Sequence, residues 1–323
     1  MAFYIQTDCT DPYRNLALEA MLGRLAAVTG EPVLYLWQNA PCVVIGINQN
    51  PWLECNISAM EADGVLLVRR RTGGGAVYHD DGNLNYSICL PEAMFDEARQ
   101  YGVVLRALES LTIPAIRNGR NDILADGKKI SGSAFSHSQG AAIQHGTLLL
   151  QSRLEVFGRY LTPDREKFTA KGVTSVSSRV GNLEDLRPEL TFDDIRHALR
   201  NAFEAEYGGY SPMPEITEEQ LESEAEAFRS WSFRYGRTPE FERILSHRFP
   251  FGHIRIGMAI RQGAAVDVQA DSDLLDVMLP PALANVLEGK RYGADSFAAA
   301  ARSLGGPESE QIADWLADEQ LYS

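Results

Sequence analysis

Three consecutive glycines directly after an apolar run constrain this chain more than any other feature. They lie in RRRTGGGAVYHD, residues 69–80, which overlaps the β-branched run VLLVRR, residues 65–70. Glycine loses more backbone freedom on folding than other residues, so a packed fold keeps three in a row where it needs tight turns or close backbone approach. Exposed backbone amides also bind phosphate. The segment therefore predicts a phosphate-binding loop, or else a structural turn with solvated arginines.

Two arginines stand at the mouth of this loop. Side chains alternate along a strand, so only one of Arg70 and Arg71 can face inward. The common phosphate fingerprints do not fit, because the chain lacks G-x-G-x-x-G and GRNDILADGKK has the wrong spacing for G-x-x-x-x-G-K-[ST]. A phosphate site here belongs to neither common nucleotide-binding fold.

The charge balance limits the partners. The chain has 323 residues, enough for roughly two domains, and 30 Lys plus Arg against 44 Asp plus Glu give a formal net charge of −14. A general surface for nucleic acid or an anionic membrane is not expected with such a balance. An anionic ligand therefore requires a local basic pocket.

The sequence also indicates a compartment. No apolar run approaches the roughly 20 residues that cross a bilayer, and MAFYIQTDCT does not resemble a signal peptide. The four cysteines, Cys9, Cys42, Cys55 and Cys89, show no C-x-x-C spacing. We expect a cytoplasmic protein with reduced thiols.

The order of predicted elements favours an α+β fold. Asp11-Pro12 begins a helix that Gly30 ends, and Asn39-Ala40-Pro41 separates two strands that we interpret as a hairpin. Asp126-Gly127 favours a second, two-residue hairpin turn. The further predicted strands are 65–70, 84–90, 123–124, 129–135 and 142–150, with a helix over 95–111. Irregularly mixed helices and strands predict a mixed sheet.

The last third of the chain predicts a second domain. Residues 211–226 contain six Glu and no Lys or Arg, which is typical of a solvated helix face, and residues 231–252 then reverse the charge with four arginines. We place the boundary at residue 245, between a catalytic domain over 1–245 and a small α+β domain over 246–323. The smaller domain contains the strand patterns IRIGMAI and AAVDVQA and two helical patterns.

The stretch GRNDILADGKKISGSAF, residues 119–135, supplies a second group of candidates. Alternation sends Lys128 and Lys129 to opposite faces, and it places Ser131 and Ser133 on the face of Lys129. That face is either a cleft lined by one cation and two hydroxyls or a solvated edge. Asp122, after Asn121, is a carboxylate that can bind Mg²⁺ or simply form a turn.

A third stretch is QHGTLLL, residues 144–150. His145 and Thr147 share one face of the predicted strand, and Leu148 and Leu150 share the other. The histidine is either a ligand-pocket residue or a structural one. The six histidines never pair with cysteine or each other at zinc-ligand spacing, and no G-x-S-x-G elbow occurs, so zinc and a serine nucleophile are not expected.

Together these stretches resemble bacterial lipoate-protein ligases of the biotin/lipoate protein ligase family. WQNAPCVVIGINQNPWLECN, RRRTGGGAVYHD, GRNDIL, KKISGSAF, QHGTLLL and AKGVTSVSSRV follow in the order and approximate spacing of that family. The resemblance implies a mixed-sheet catalytic domain of the class II synthetase-like type with a small C-terminal domain. It implies that lipoate and ATP, with Mg²⁺, form lipoyl-AMP, and that the lipoyl group passes to a lysine ε-amine. The implied carriers are apo lipoyl domains of 2-oxoacid dehydrogenase E2 subunits and the glycine cleavage H protein.

The resemblance also implies roles for individual residues. Lys129 is the catalytic lysine between the lipoyl carbonyl and phosphate, and Asp122 is the Mg²⁺ candidate. Residues expected at ATP or lipoyl-AMP are Arg70, Gly73, Gly74, Gly75, Ala76, Val77, Tyr78, Asn121, Lys129, Lys171 and Arg179. Residues expected at lipoate are Arg70, Gly75, Lys129, His145 and Gly146. The loop over 171–182 is expected to close over the adenylate as a lid.

Two other functions stay open at this stage. An octanoyltransferase of the same fold needs a thiolate near the acyl carbonyl, yet every cysteine precedes residue 90. A non-catalytic lipoate-binding protein would have no need for Arg70, Lys129 and Asp122 together. A biotin ligase fits less well around the glycine loop. The sequence does not decide between lipoate and octanoate, nor the carrier proteins or the oligomeric state.

Overall fold

The chain divides into two compact units in a computed structural model that describes residues 1–119, 121–161, 180–238, 241–272, 276 and 278–319. The first unit is Met1–Ile47 with Glu54–Ser230, and the second is Asn48–Leu53 with Trp231–Ser323. The split at residue 230 differs from the expected boundary at 245. A cut at 245 would pass through the strand Phe241–Phe249, whose whole length is paired with the next strand.

The first unit contains the elements that surround the candidate site. Its strands are β1 Phe3–Gln6, β2 Val33–Trp37, β3 Cys42–Ile45, β4 Leu66–Arg69, β5 Val77–His79, β6 Asn83–Pro91, β7 Ala115–Asn118, β8 Asp122–Ala125, β9 Lys128–Ser138 and β10 Ala141–Leu149. The described helices up to residue 230, in chain order, are α1 Pro12–Thr29, α2 Pro51–Glu54, α3 Ile57–Ala62, α4 Glu97–Ser110, α5 Phe157–Tyr160, α6 Phe192–Tyr207 and α7 Glu218–Arg229. Of these, α2 lies mostly in the second unit.

Ten strands of this unit form two sheets. The larger has the order β1-β2-β6-β10-β9-β8-β7, in which only the β1–β2 pair is parallel, and the smaller has the order β4-β3-β5. The predicted α+β class with a mixed sheet is confirmed. The predicted hairpin of β2 and β3 is wrong, because β2 pairs with β1 and β6 while β3 pairs with β4 and β5. Asn39 between them is buried and accepts from Asn15 Nδ2.

Local signals for the first helix and the second hairpin are confirmed. The Asp11 carboxylate accepts from the backbone N–H of Tyr13 at 2.9 Å, and Gly30 ends α1 with a φ of 75°. Both features are standard helix caps. Asp126 and Gly127 both have positive φ, 48° and 73°, as the two-residue turn between β8 and β9 requires.

The two faces of the larger sheet have different characters. On β6, the side chains of Leu84, Tyr86, Ile88 and Leu90 join an apolar core with residues of α4 and α6. The alternating residues Asn83, Asn85 and Ser87 are buried and polar. This polar face, with α1 and the smaller sheet beside it, contains the candidate site.

The second unit is a small α+β body. Its antiparallel strands are β11 Phe241–Phe249, β12 Gly252–Arg261 and β13 Ala264–Ser272, and its described helices after β13 are α8 Leu279–Leu287, α9 Ala294–Arg302 and α10 Pro307–Asp318. Trp52 belongs to this unit and contacts the rings of Tyr235 and Tyr292, with centroids 5.4 and 5.1 Å away. Across the described residues, no helix has the length and apolar character that a membrane span requires.

Candidate active site

A cavity of about 170 Å³ lies in the first unit. The two sheets and α1 contribute its walls, so residues far apart in sequence meet there. Its lining comprises Leu16, Trp37, Val44, Arg70, Gly74, Gly75, Ala76, Val77, His79, Asn85, Asn121, Lys129, Gly132, Ser133, Ala134, His145, Gly146 and Thr147. Trp37, His79 and Asn85 are almost completely buried, whereas Gly74, Gly75 and Lys129 reach the surface. The cavity therefore has a buried end and an open end.

Arg70 organises the glycine loop. Its buried guanidinium donates to the carbonyl oxygens of Val44, Gly73 and Gly75 at 2.9, 2.7 and 2.8 Å. Burial lowers the pKa of Arg70 to about 10, so the group stays charged at neutral pH. Four of the five N–H groups of the guanidinium donate to protein oxygens, and one N–H of Nη1 has no partner among the described residues. Arg70 therefore shapes the loop first and has limited capacity for a phosphate.

Gly46 allows the loop to sit close to β3. A Cβ placed on Gly46 would lie 2.4 Å from the carbonyl oxygen of Gly74, and Gly74 itself has a φ of 95°. No larger residue fits at position 46 without displacing the loop. Sequence reasoning missed Gly46, although a glycine directly after the β-branched strand CVVI is a signal of close backbone approach.

Only one of the two arginines faces the cavity, as expected: Arg70 lines it and Arg71, beyond the end of β4, points away. Its Nη2 lies 2.8 Å from the Glu224 carboxylate on α7, and its guanidinium lies 4.9 Å from the centre of the Phe228 ring. The acidic helix is thus not simply a solvated face, since Glu218 and Glu222 also pair with Arg14 of α1.

A chain of hydrogen bonds runs from Arg70 into the interior. Arg70 Nε donates to Thr72 Oγ1 at 2.9 Å, and Thr72 Oγ1 lies 2.9 Å from His145 Nε2. His145 Nδ1 lies 2.9 and 3.0 Å from the two carboxylate oxygens of Glu19. Because a carboxylate oxygen accepts, Nδ1 donates to Glu19, and Nε2 shares a hydrogen bond with the Thr72 hydroxyl.

Glu19 continues this chain to the buried end of the cavity. Its Oε1 accepts from Ser87 Oγ at 2.5 Å, and Ser87 Oγ in turn accepts from Trp37 Nε1 at 3.0 Å. Glu19 is 6% exposed, so hydrogen bonds stabilise its carboxylate in place of water. Glu19 was missed from the sequence, because it precedes His145 by 126 residues and only the fold joins them.

Lys129 lies at the open end of the cavity. Its Nζ is 2.7 Å from Asp122 Oδ1 on the paired strand β8. Lys128 points the other way and lies 3.5 Å from Asp185, as alternation predicts.

The prediction that Ser131 and Ser133 share the face of Lys129 is wrong. The register of β8 and β9 shifts after Lys129, so that Ile123 pairs with Ser131 while Leu124 pairs with Lys129. This β-bulge reverses the alternation. Ser133 Oγ instead lies 2.9 Å from the buried Tyr86 hydroxyl on the core face. Gly132 takes the place beside Lys129, since a Cβ there would lie 3.1 Å from Nζ.

Comparison with known proteins identifies the family. The profile of the Lipoyl protein ligase A/B catalytic domain matches residues 11–204, and that of the Bacterial lipoate protein ligase C-terminus matches residues 238–316. Lipoate-protein ligase A of Psychrobacter cryohalolentis is 36% identical over 332 residues, which cover 98% of each chain. The chain belongs to the lipoate-protein ligase family.

Solved ligase structures have a similar fold. P. falciparum LipL1, solved in complex with lipoate, matches with a TM-score of 0.64 and 27% identity, covering 99% of this chain and 100% of that one. The bipartite lipoate protein ligase of Thermoplasma acidophilum, from a study of that ligase and its E2 lipoyl domain, matches with a TM-score of 0.63 and 28% identity, covering 73% and 96%. A lipoate-protein ligase A bound with ATP matches with a TM-score of 0.59 and 27% identity, covering 71% and 93%.

Most residues expected at the ligand of this ligase line the cavity. Arg70, Gly74, Gly75, Ala76, Val77, Asn121, Lys129, His145 and Gly146 all do so, and Gly73 lines a neighbouring surface cavity with Gly74 and Gly75. Asn121 is held by its Nδ2, which donates to the carbonyl oxygen of Ser133 at 2.9 Å. Lys171 and Arg179, with most of the expected lid, lie outside the described residues.

Two of the residues expected at the ligand have packing roles. Gly146 lines the cavity and also packs against the core, whereas Tyr78 only packs. Gly146 is needed because a Cβ there would lie 2.4 Å from the Tyr86 hydroxyl, on the core side of β10. Tyr78 is buried and does not line the cavity; its ring packs on Tyr160 and Phe157 at centroid distances of 5.3 and 5.6 Å. Alternation along β5 explains this, because its neighbours Val77 and His79 face the cavity.

The cysteines of this ligase lie away from the cavity lining. Cys42, Cys55 and Cys89 are buried, and burial raises the pKa of each thiol. A buried thiol with a raised pKa is a poor nucleophile. An acyl-thioester route, which an octanoyltransferase would use, therefore finds no support in the part of the chain that the structure describes.

Proposed function

We propose that this ligase activates lipoate with ATP to lipoyl-AMP and transfers the lipoyl group to a lysine of a carrier domain. The observation that carries this proposal is that the two ends of one cavity differ: the end at Trp37 is enclosed, and the end at Lys129 and the glycine loop is open. An acyl chain fits the enclosed end. The open end can accommodate a carboxylate and a phosphate.

The groups at the open end suit adenylation. In this step a lipoate carboxylate oxygen attacks the α-phosphorus of ATP, and pyrophosphate leaves. Charge builds on the phosphate oxygens, and prearranged cations and backbone amides stabilise it. Lys129 Nζ is the cation at this end, and the loop of Gly74 and Gly75 lies beside it.

Transfer then requires no nucleophile from the enzyme. The carrier lysine attacks the acyl carbon, AMP leaves with the bonding electrons, and the amine loses a proton. Lys129, placed between carbonyl and phosphate, would stabilise the charge on both in turn. The described cysteines have no part in this route.

Asp122 is our candidate for holding Mg²⁺. Magnesium uses one or two protein carboxylates together with phosphate oxygens and water. Asp122 fits as such a single carboxylate, since it is partly exposed and lies beside Lys129 at the phosphate end. No group of three His, Cys, Asp or Glu close enough to form a protein-only metal site occurs among the described residues. Magnesium would supply charge neutralisation of the phosphates.

Relatives support the choice of substrates and partners. One similar structure is bound to lipoate, another is bound with ATP, and a third belongs to a system with an E2 lipoyl domain. We propose lipoate, ATP and apo lipoyl domains of 2-oxoacid dehydrogenase E2 subunits and the H protein as the substrates and carriers here.

A two-step assay tests this proposal. Lipoate-dependent exchange of pyrophosphate into ATP measures adenylation, and intact mass of an apo lipoyl domain measures transfer. We expect both, and the second only when ATP is present. Binding of lipoate with no exchange would favour a non-catalytic lipoate-binding protein.

Replacement of the cysteines tests the route directly. Substitution of all four by alanine should leave adenylation and transfer largely intact in protein that keeps its circular dichroism spectrum, because no thioester forms. A trapped acyl-cysteine, or loss of transfer in folded protein, would favour an octanoyltransferase.

A further inference from the structure

Two buried polar groups at the enclosed end of the cavity are not used by the chemistry above. His79 and Asn85 line the cavity and are 4% and 2% exposed. His79 Nε2 and Asn85 Nδ2 have no hydrogen-bond partner among the described residues. Buried polar atoms are nearly always paired, and both of these residues contribute to the wall of one cavity, so a ligand in that cavity is the candidate partner.

The hydrogen bonds around His79 make Nε2 a donor. Asn15 Nδ2 donates to Asn39 Oδ1 at 3.0 Å, which leaves the amide nitrogen of Asn39 facing His79 Nδ1 at 3.1 Å. His79 Nδ1 therefore accepts, and the ring proton is on Nε2. Burial lowers the pKa of His79 to about 3, so the ring is neutral at physiological pH.

Asn85 also presents a donor. Asn83 Nδ2 donates to Asn85 Oδ1 at 3.1 Å, so the amide nitrogen of Asn85 is left. In the sheet register Asn85 pairs with Trp37 on one side and Thr147 on the other. The Trp37 ring meets the His79 ring edge-on at 6.4 Å. The two donors thus flank the indole at the enclosed end.

The direction of the substrate places its tail at these donors. The proposed function places the carboxylate at Lys129, so the far end of the acyl chain would point toward Trp37, His79 and Asn85. The dithiolane ring of lipoate has two sulfur atoms there, which accept hydrogen bonds weakly. The tail of octanoate has only methylene and methyl groups. It would leave both donors buried and unpaired, which costs binding free energy.

We propose that His79 and Asn85 are specificity-determining residues that select an acyl tail containing hydrogen-bond acceptors, the dithiolane sulfurs, over a hydrocarbon tail of the same shape. This inference rests on the proposed function, because that function sets which end of the cavity receives the tail. It assigns a polar subsite to the end of the cavity that Trp37 would otherwise make purely apolar.

A carbon analogue separates hydrogen bonding from shape. In 5-cyclopentylpentanoate, carbon replaces both sulfurs of lipoate and the ring size is unchanged. We would measure the Kd of lipoate, this analogue and octanoate by calorimetry on the full chain. We expect wild type to bind lipoate about five- to tenfold more tightly than the analogue. Equal binding of the two by wild type would overturn the proposal without any variant.

Variants locate the effect. Asn85→Leu and His79→Phe each remove one donor with little change in size, and each should move the lipoate-to-analogue ratio toward one. Gln144→Leu is the matched control: it is another buried amide, outside the cavity lining, and should leave the ratio unchanged. An unchanged ratio in both donor variants, or an equal drop in the control, would overturn the proposal.

The pyrophosphate exchange assay distinguishes the two proposals. If pyrophosphate exchange occurs but wild type binds lipoate and the carbon analogue equally, only the polar subsite is refuted. A ratio that depends on His79 and Asn85 without any exchange refutes the proposed reaction alone and keeps the subsite. Absence of both binding and exchange refutes both.

Discussion

Neighbouring cations have separate tasks in this ligase. Arg70 is buried and holds the glycine loop, while Arg71 is exposed and pairs with Glu224. Lys129 lies at the cavity, while Lys128 pairs with Asp185 on the other side of β9. Lys128 and Lys129 are consecutive residues of β9, so strand alternation places them on opposite faces, whereas Arg70 and Arg71 follow the end of β4 at Arg69. Single substitutions can therefore separate an effect at the cavity from an effect of surface charge.

Replacement of Lys129 tests its role at the reacting groups. Lys129→Ala should lower the rate of lipoate-dependent pyrophosphate exchange by about 10² to 10³, a typical loss when one prearranged donor is removed. Lys128→Ala is the matched control and should have little effect. Similar losses in both variants would contradict the assignment of faces.

Thr72 joins Arg70 to His145, so its hydroxyl should matter more than its size. Thr72→Val keeps the shape but leaves His145 Nε2 without its partner, and we expect the free energy of unfolding to fall by about 1–3 kcal/mol. Urea denaturation measures this change. Thr72→Ser retains the hydroxyl and should stay within about 1 kcal/mol of wild type. If Thr72→Ser lowers the free energy of unfolding as much as Thr72→Val does, the hydrogen bonds of the Thr72 hydroxyl do not stabilise the loop.

Among the elements, the glycine loop depends on contact with β3 as much as on its own sequence. The carbonyl oxygen of Gly74 lies where a side chain at Gly46 would begin. The bulge in β9 is the second such feature, because it brings Lys129 to the face of Gly132 and turns the Ser133 hydroxyl toward Tyr86. Both features decide which groups surround the cavity.

Gly46→Ala tests the contact between the loop and β3. The added Cβ would meet backbone, which cannot rotate away, so we expect about 1–3 kcal/mol of destabilisation together with a large loss of exchange activity. Gly73→Ala is the control for stability, since a Cβ at Gly73 meets nothing within 4 Å. A thermal melt of Gly46→Ala that coincides with wild type would show that the loop can shift without cost.

At the scale of the whole molecule, the second unit combines two separate stretches of the sequence. Residues Asn48–Leu53 belong to the second unit although they precede most of the first unit in the chain. Trp52, which is 2% exposed, is covered by Tyr235 and Tyr292 of that second unit. The two units are therefore not independent segments of sequence.

A chain that ends after Ser230 should be less soluble than the full chain. It loses both tyrosines that cover Trp52. Burial of a large apolar side chain stabilises a fold by about 1.5–3 kcal/mol, and the shortened chain would lose that contribution. We expect aggregation and a lower Tm, measured by light scattering and a thermal melt. Trp52→Ser in the shortened chain should partly restore solubility. A shortened chain as soluble as the full one would show that Trp52 finds other cover.

Features set by neighbouring residues were predictable from the sequence. The caps of α1, the Asp126-Gly127 turn and the opposite directions of Lys128 and Lys129 all follow from local backbone preference. The order of motifs was also sufficient to identify the family, because a ligand site needs specific residue types at specific spacings.

Features set by distant contacts required the tertiary structure. Only the fold brings Glu19 to His145, separates β2 and β3 into different sheets, and places Gly46 against Gly74. The bulge in β9 is of the same kind, because strand pairing decided the register against simple alternation. Apart from proline, local preferences are worth at most about 1 kcal/mol per residue, so packing and buried hydrogen bonds decide wherever the two compete.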